Sequence, residues 1–256
     1  MILVLAGTLD GREIAAGLTA AGHEVIASVV SDYGKALAEQ SGVRVQAAAM
    51  TDSQLQQFIR DEGVHLVIDA THPYAVNVSR NAAKAAESEN VPCIRYERPS
   101  SDLPDYHKLM VAQDVQEAAK LAVNAGKIVF LTTGSHTLPI FRTAAAGMDC
   151  RLIARVLPQP EVISACLEAG FSPGDIVAVQ GPFSHELNLA LFREFRADVM
   201  VTKNSGTVGG TDLKITAAME LDMTVVVVKR PPVDRKQIFQ SVPDLLEYIR
   251  RGSIGS

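Results

Sequence analysis

The side chains able to do chemistry fall in short clusters, each directly after a run of apolar residues. Gly7-Thr8-Leu9-Asp10-Gly11-Arg12 follows residues 2–6, and Thr71-His72-Pro73-Tyr74 follows residues 66–70. Thr132-Thr133-Gly134-Ser135-His136 follows residues 128–131, and Gln180-Gly181-Pro182-Phe183-Ser184 follows residues 176–179. Thr202-Lys203-Asn204-Ser205-Gly206 follows residues 199–201, and Arg155 stands near the end of the apolar run 152–156. Gly7, Thr8, Asp10, Gly11 and Arg12 suit a phosphate or nucleotide, because glycines let backbone approach it and a helix start supplies N–H donors. The pattern is G-x-x-x-G rather than the full dinucleotide fingerprint, so a plain tight turn is the alternative. His72 and Tyr74 can both donate hydrogen bonds, and a histidine transfers protons near neutral pH. The alternative there is a helix start with Thr71 as cap and Pro73 in the first turn. Thr133, Gly134 and Ser135 suit an anion at a helix start or, equally, ordinary capping.

Arg155 and Lys203 are charge anomalies, since an unpaired charge at the end of an apolar strand is costly. Either an internal acid or an anionic ligand must pair them. Asn204, Ser205, Gly206, Gly209, Gly210 and Lys214 extend Lys203 into a polar loop that runs into a helix, a good anion site or a surface loop. Phe183 offers a ring for a flat ligand or for the core, with Ser184 beside it. Arg95 and Arg98 flank the end of a fifth strand, facing a ligand or standing as solvated linker charges.

These clusters need a scaffold. Continuous apolar, β-branched runs are what strands buried on both faces of a parallel sheet look like, and ligands bind beyond the carboxyl ends of such strands. Strand and helix patterns alternate throughout, so the expected fold is α/β, with two parallel-sheet domains facing a cleft. The first spans residues 1–98 and the second 106–240, joined by a proline-containing linker over 97–106. A final helix over 242–251, within the segment 241–256, can pack on either. The 256 residues carry 47% hydrophobic and 21% charged side chains with a net charge of −5. That balance argues against disorder and against nucleic-acid or anionic-membrane partners, while leaving room for a local basic pocket. Cys93, Cys150 and Cys166 form no C-x-x-C pair, and no metal-ligand motif, serine-nucleophile elbow or Walker loop is present. With no membrane-length apolar run and no basic leader, a cytoplasmic protein is expected.

In order, the segments GTLDGRE, DATHPYA, RYERP, TTGSH, RVLP, GPFS and TKNSG, then GG and K, resemble the precorrin-6A reductase family of cobalamin biosynthesis, which includes members acting on cobalt-precorrin-6A. The resemblance spans about residues 2–231. It implies two Rossmann-like domains, NADH or NADPH as cofactor, and a corrinoid tetrapyrrole precursor reduced to its 6B form. Hydride would go to one ring carbon and a proton to its neighbour. The resemblance makes Arg155, Lys203, Lys214, Arg95 and His72 candidates to neutralise the macrocycle's carboxylates, with Phe183, Ser184, Asn204 and Ser205 beside them. His72, Tyr74 and bulk water are competing proton donors. Transient contact with neighbouring pathway enzymes is also expected. For the cofactor, Ser31 and Asp32 follow the second strand, and an acid there binds ribose hydroxyls and favours NADH. NADPH is the alternative, with Ser31, Lys35 or Arg12 on its phosphate. From a different class, a non-catalytic NAD(P)-sensing two-domain module is the competing reading.

Overall fold

The computed structural model describes residues 1–29, 32–39, 42–47, 50–206, 210–232 and 237–252. They form two compact units, Met1–Pro99 with Pro232–Ser256, and Ser100–Pro231.

The first unit opens β1 (Ile2–Leu5), α1 (Leu9–Ala20), β2 (Val25–Val29), α2 (Asp32–Glu39), β3 (Arg44–Ala47) and α3 (Asp52–Asp61). It continues β4 (Leu66–Asp69), α4 (Val76–Ser88) and β5 (Cys93–Tyr96). All strand pairs are parallel, in the order β3-β2-β1-β4-β5. Alternation along β1 shows why its whole run is apolar: Ile2 and Val4 pack with Ile14 and Leu18 of α1, while Leu3 and Leu5 pack with Leu55 and Ile59 of α3 and Ala82 of α4. Helices therefore cover both faces. The chain winds outward from β1 to β3 and then restarts at β4, so the topological switch point lies between β1 and β4. Thr51 begins α3 with a reciprocal capping box to Gln54.

The second unit runs β6 (Leu109–Ala112), α5 (Val115–Ala125), β7 (Ile128–Leu131), α6 (Leu138–Ala144), β8 (Arg151–Val156) and α7 (Pro160–Glu168). It ends with β9 (Ile176–Ala178), α8 (His185–Glu194), β10 (Val199–Lys203), α9 (Thr211–Glu220) and β11 (Thr224–Val228). The strand order is β9-β8-β7-β10-β11-β6, again all parallel, with the switch point between β7 and β10. One face packs Phe130, Met200 and Val225 against Phe192 of α8 and Ile215 of α9. Among the described residues, no helix is long and apolar enough to cross a membrane.

The C-terminal segment differs from the sequence expectation. Residues 232 and 237–240, expected in the second domain, join the first unit. There β12 (Ile238–Phe239) pairs in parallel with β5 and becomes the sixth strand of the first sheet. Two residues are too few to give a periodicity, so the strand has no signature. The last helix, α10 (Val242–Arg250), settles on the same unit: Leu245 and Ile249 are buried with Ile14 and Leu18. The apolar stripe of α10 completes the layer that α1 begins.

Leu245 has no solvent exposure. Leu245→Ala should cost about 2–5 kcal/mol. Hydrogen exchange checks this placement: protection should fall in α1 and β1 and stay unchanged in α5 and β7.

Candidate functional site

In the first unit, β1 ends at a turn that glycine keeps thin. A Cβ at Gly7 would meet no heavy atom within 4 Å, so the backbone is open to a ligand there. Gly11 works differently. A Cβ at this position would lie 2.7 Å from Ala6 Cα, so Gly11 is needed for the close approach of α1 to β1. Its expected ligand contact is thus corrected to a packing role. Thr8 caps α1 by accepting from the Gly11 N–H at 3.1 Å, and its hydroxyl donates to the Ala70 carbonyl at 3.1 Å. That bond ties together the two turns that flank the switch point. Asp10, also expected at a cofactor, is buried and paired with Arg98 at 2.7 Å. Arg98 is thereby an internal partner rather than a solvated linker charge. Arg12 is half-buried, and its guanidinium meets no carboxylate among the described residues. Ser31 lies outside the described residues, as does the side chain of Asp32.

At the end of β4, Asp69 has no solvent exposure. Its carboxylate accepts from Thr71 Oγ1 at 2.7 Å, from Arg95 Nη1 at 2.8 Å and from the Ser79 hydroxyl. Arg95 also reaches Glu97 at 3.3 Å. The expected substrate contact of Arg95 is therefore corrected: its 1% exposed guanidinium is consumed by two acids of its own unit. Thr71 is no helix cap, because α4 begins at Val76 with Ala75 in the cap position and no side-chain bond. What the network does is hold the turn that carries His72 and Tyr74. His72 Nδ1 accepts from the Tyr74 backbone N–H at 3.3 Å, and the two rings lie 5.7 Å apart. With Nδ1 as acceptor, the neutral ring carries its proton on Nε2.

In the second unit the strand ends are cationic. Lys203 Nζ donates to the Thr133 carbonyl at 2.6 Å, bridging the switch point between β7 and β10. Burial lowers its pKa. The Thr133 hydroxyl is buried and bonded to the Thr137 hydroxyl at 2.7 Å, so its expected cofactor contact is corrected to an internal one. Gly134 and Ser135 are half-buried in the same turn, where a 3-10 turn over Ser135–Thr137 precedes α6. Arg155 is 8% exposed and donates to Asn188 Oδ1 at 2.7 Å. Its guanidinium lies 4.6 Å from the centre of the Phe183 ring. No carboxylate pairs with it among the described residues, and burial lowers its pKa to about 10. Lys214, buried in α9, is lowered further, to about 7, by burial first and then by the Arg155 charge.

Four further candidates make contacts within the chain. Phe183 places its ring against Arg155, its own chain's cation, and Gly181 allows this because a Cβ there would meet the ring at 2.9 Å. Ser184 caps α8 by accepting from the Leu187 N–H at 3.2 Å. The Asn204 amide is engaged on both sides by the Ser101 backbone, at 2.9 and 2.8 Å. Ser205 shares a 3.3 Å hydrogen bond with Thr211 at the start of α9. Sequence reasoning quoted Asp69 without giving it a role and passed over Asn188, a lone amide in an amphipathic helix with no spacing to mark it.

The profile of the family described as precorrin-6x reductase CbiJ/CobK matches residues 1–250. The chain belongs to that family. A cobalt-precorrin-6A reductase from Priestia megaterium is 36% identical over 250 residues, covering 97% of this chain and 98% of the relative. One from Salmonella typhimurium is 38% identical over 231 residues, covering 90% of this chain and 87% of the relative. A solved CobK precorrin-6A reductase matches with a TM-score of 0.81 and 26% identity, covering 99% of this chain and 97% of that one. Membership makes the protein an oxidoreductase and sets aside the non-catalytic sensor.

Lys214 gives this family member a measurable signature. The unfolded chain keeps this proton up to the ordinary value of 10.5, and the folded chain only up to about 7. Folding therefore releases a proton between those values, and stability rises with pH through that window. Lys214→Met should remove the effect. Urea unfolding at about pH 7 and about pH 9 should show wild type gaining more stability than the variant on going up. Parallel behaviour of the two proteins would place Lys214 in a solvated setting.

Proposed function

We propose that this protein reduces one double bond of a precorrin-6A-type macrocycle, cobalt-containing or metal-free, to its 6B form, with NADH or NADPH as reductant. The observation that carries the substrate assignment is Arg155, a nearly buried guanidinium with no carboxylate partner among the described residues. The buried cations Lys203 and Lys214 belong to the same unit. Burying a charge without a counter-charge is costly. For Arg155, a carboxylate of the bound macrocycle supplies the missing charge. The second unit thus takes an acid group of the macrocycle through Arg155, with Lys203 and Lys214 as further cations of that unit.

The first unit fits a dinucleotide. Its strand order up to β5 is that of a dinucleotide-binding sheet, and its switch point is flanked by the open Gly7 turn and the start of α1. The backbone of Gly7 and Thr8 and the first amides of α1 would hold the pyrophosphate, with the Asp10 charge neutralised by Arg98. Bound there, the reduced nicotinamide supplies the hydride. The chain's own residues orient the macrocycle and supply a proton. His72, once its ring is protonated, is the residue type suited to give it, the Tyr74 hydroxyl and bulk water being the other sources. Cofactor oxidation followed with and without the macrocycle tests the activity.

Two predictions separate the roles of the units. Arg155→Ala and Lys203→Ala should each raise KM for the macrocycle about tenfold, or about 1.4 kcal/mol, with KM for the nicotinamide unchanged. Gly7→Val should do the reverse in a folded protein. If the basic variants weaken only the nicotinamide, the second unit's cations serve the dinucleotide phosphates.

For the choice of cofactor, Asp32 at the start of α2 favours NADH, and Arg12 is the group that would hold a 2′-phosphate. NADH should give the larger kcat/KM. A preference for NADPH of about tenfold that Arg12→Ala abolishes would assign the phosphate to Arg12.

A further inference from the structure

Among the described residues, three arginines are nearly buried: Arg95, Arg98 and Arg155, at 1%, 9% and 8% exposure. Two are compensated in the ordinary way. Arg95 has Asp69 at 2.8 Å and Glu97 at 3.3 Å, and Arg98 has Asp10 at 2.7 Å. The third has an amide where the others have an acid. Asn188, on α8 and 1% exposed, accepts from Arg155 Nη1 at 2.7 Å. On its other side, Asn188 Nδ2 donates to the Ser184 carbonyl at 2.7 Å and to the Phe183 carbonyl at 3.5 Å. Both groups facing Nδ2 are acceptors, so the amide has one satisfied orientation, with Oδ1 toward the guanidinium.

We infer that Asn188 is the positioning residue of the anion site: it aims Arg155 and, being neutral, leaves the guanidinium's charge for a carboxylate of the bound macrocycle. This rests on the reading that Arg155 meets the substrate. The backbone carbonyls that fix Asn188 belong to the turn carrying Phe183, whose ring lies against the same guanidinium. One amide therefore couples the aim of Arg155 to the turn that holds its aromatic neighbour. An aspartate here would neutralise the guanidinium from within, as Asp69 does for Arg95, and the site would lose its hold on anions. A neutral acceptor keeps the hydrogen bond without the charge.

A double-mutant cycle tests this in the full chain, with folding checked by circular dichroism. Arg155→Gln alone should raise KM for the macrocycle about tenfold. Asn188→Asp should raise it by a similar factor and flatten its dependence on salt, because the site has lost one net positive charge. KM for the nicotinamide should not move in either variant. In the Arg155→Gln background, Asn188→Asp should add nothing, since it acts through the guanidinium. Asn188→Ala provides the same comparison if the aspartate does not fold: its KM should rise through lost aim, again only when Arg155 is present. If Arg155→Gln raises KM while the Asn188 variants leave it at the wild-type value, Asn188 is a packing residue and the inference fails with the substrate reading intact. If Arg155→Gln itself leaves KM unchanged, the substrate reading fails and the inference goes with it. Additive effects in the double variant would also overturn the inference.

Discussion

A carboxylate with no contact with solvent organises the business end of the first sheet. Asp69 closes β4 and draws in Arg95 from β5, Thr71 from the following turn and Ser79 from α4. None of these groups could be left buried alone: removing one partner of a buried pair costs about 3–5 kcal/mol. The turn with His72 and Tyr74 is consequently pinned at three points. Beside it, the Thr8 hydroxyl fastens the β1 turn to the β4 turn. The open backbone at Gly7 sits in a rigid frame, which is what a site that must accept a ligand without reshaping itself requires.

The second unit repeats the winding and changes the electrostatics. Its switch point is bridged by an ammonium group instead of a hydroxyl, and β8 carries an arginine without an acid among the described residues. The contrast is between two ways of treating a buried cation. In the first unit the counter-charge is part of the fold, and the arginine serves architecture. In the second, the neutral amide of Asn188 satisfies a hydrogen bond of Arg155 while leaving its charge in place, and Lys203 meets a backbone carbonyl. A formal charge of −5 over the whole chain conceals this division.

The architecture was legible because parallel strands buried on both faces must be continuously apolar, as β1 and β7 are throughout and β4, β10 and β11 are except at an end. Clusters at their carboxyl ends marked the regions that matter. What the sequence could not convey was which member of each cluster looks inward. Arg95 and Arg155 read alike, each at the end of an apolar strand. Only the positions of Asp69 and Asn188, respectively 26 residues before one and 33 after the other, separate them. Ser184 and Asn204 looked like ligand contacts because capping and loop-closing use the same side chains as binding does. The β12 strand escaped because its pairing partner, β5, is remote in sequence and its two residues carry no pattern of their own.

That last strand bears on how the protein is made. Residues 1–99 leave the ribosome well before their sixth strand and covering helix exist. Until residues 237–252 emerge, the outer edge of β5 has unpaired amides and the apolar face of α1 lacks Leu245 and Ile249. The stretch between them, by contrast, is contiguous and holds every strand of its own sheet. The order of birth is therefore reversed in the order of completion: the segment synthesised first finishes last. An unpaired edge of this kind is a hazard during synthesis. It is also why a chain truncated near its C-terminus would be damaged chiefly at its N-terminus.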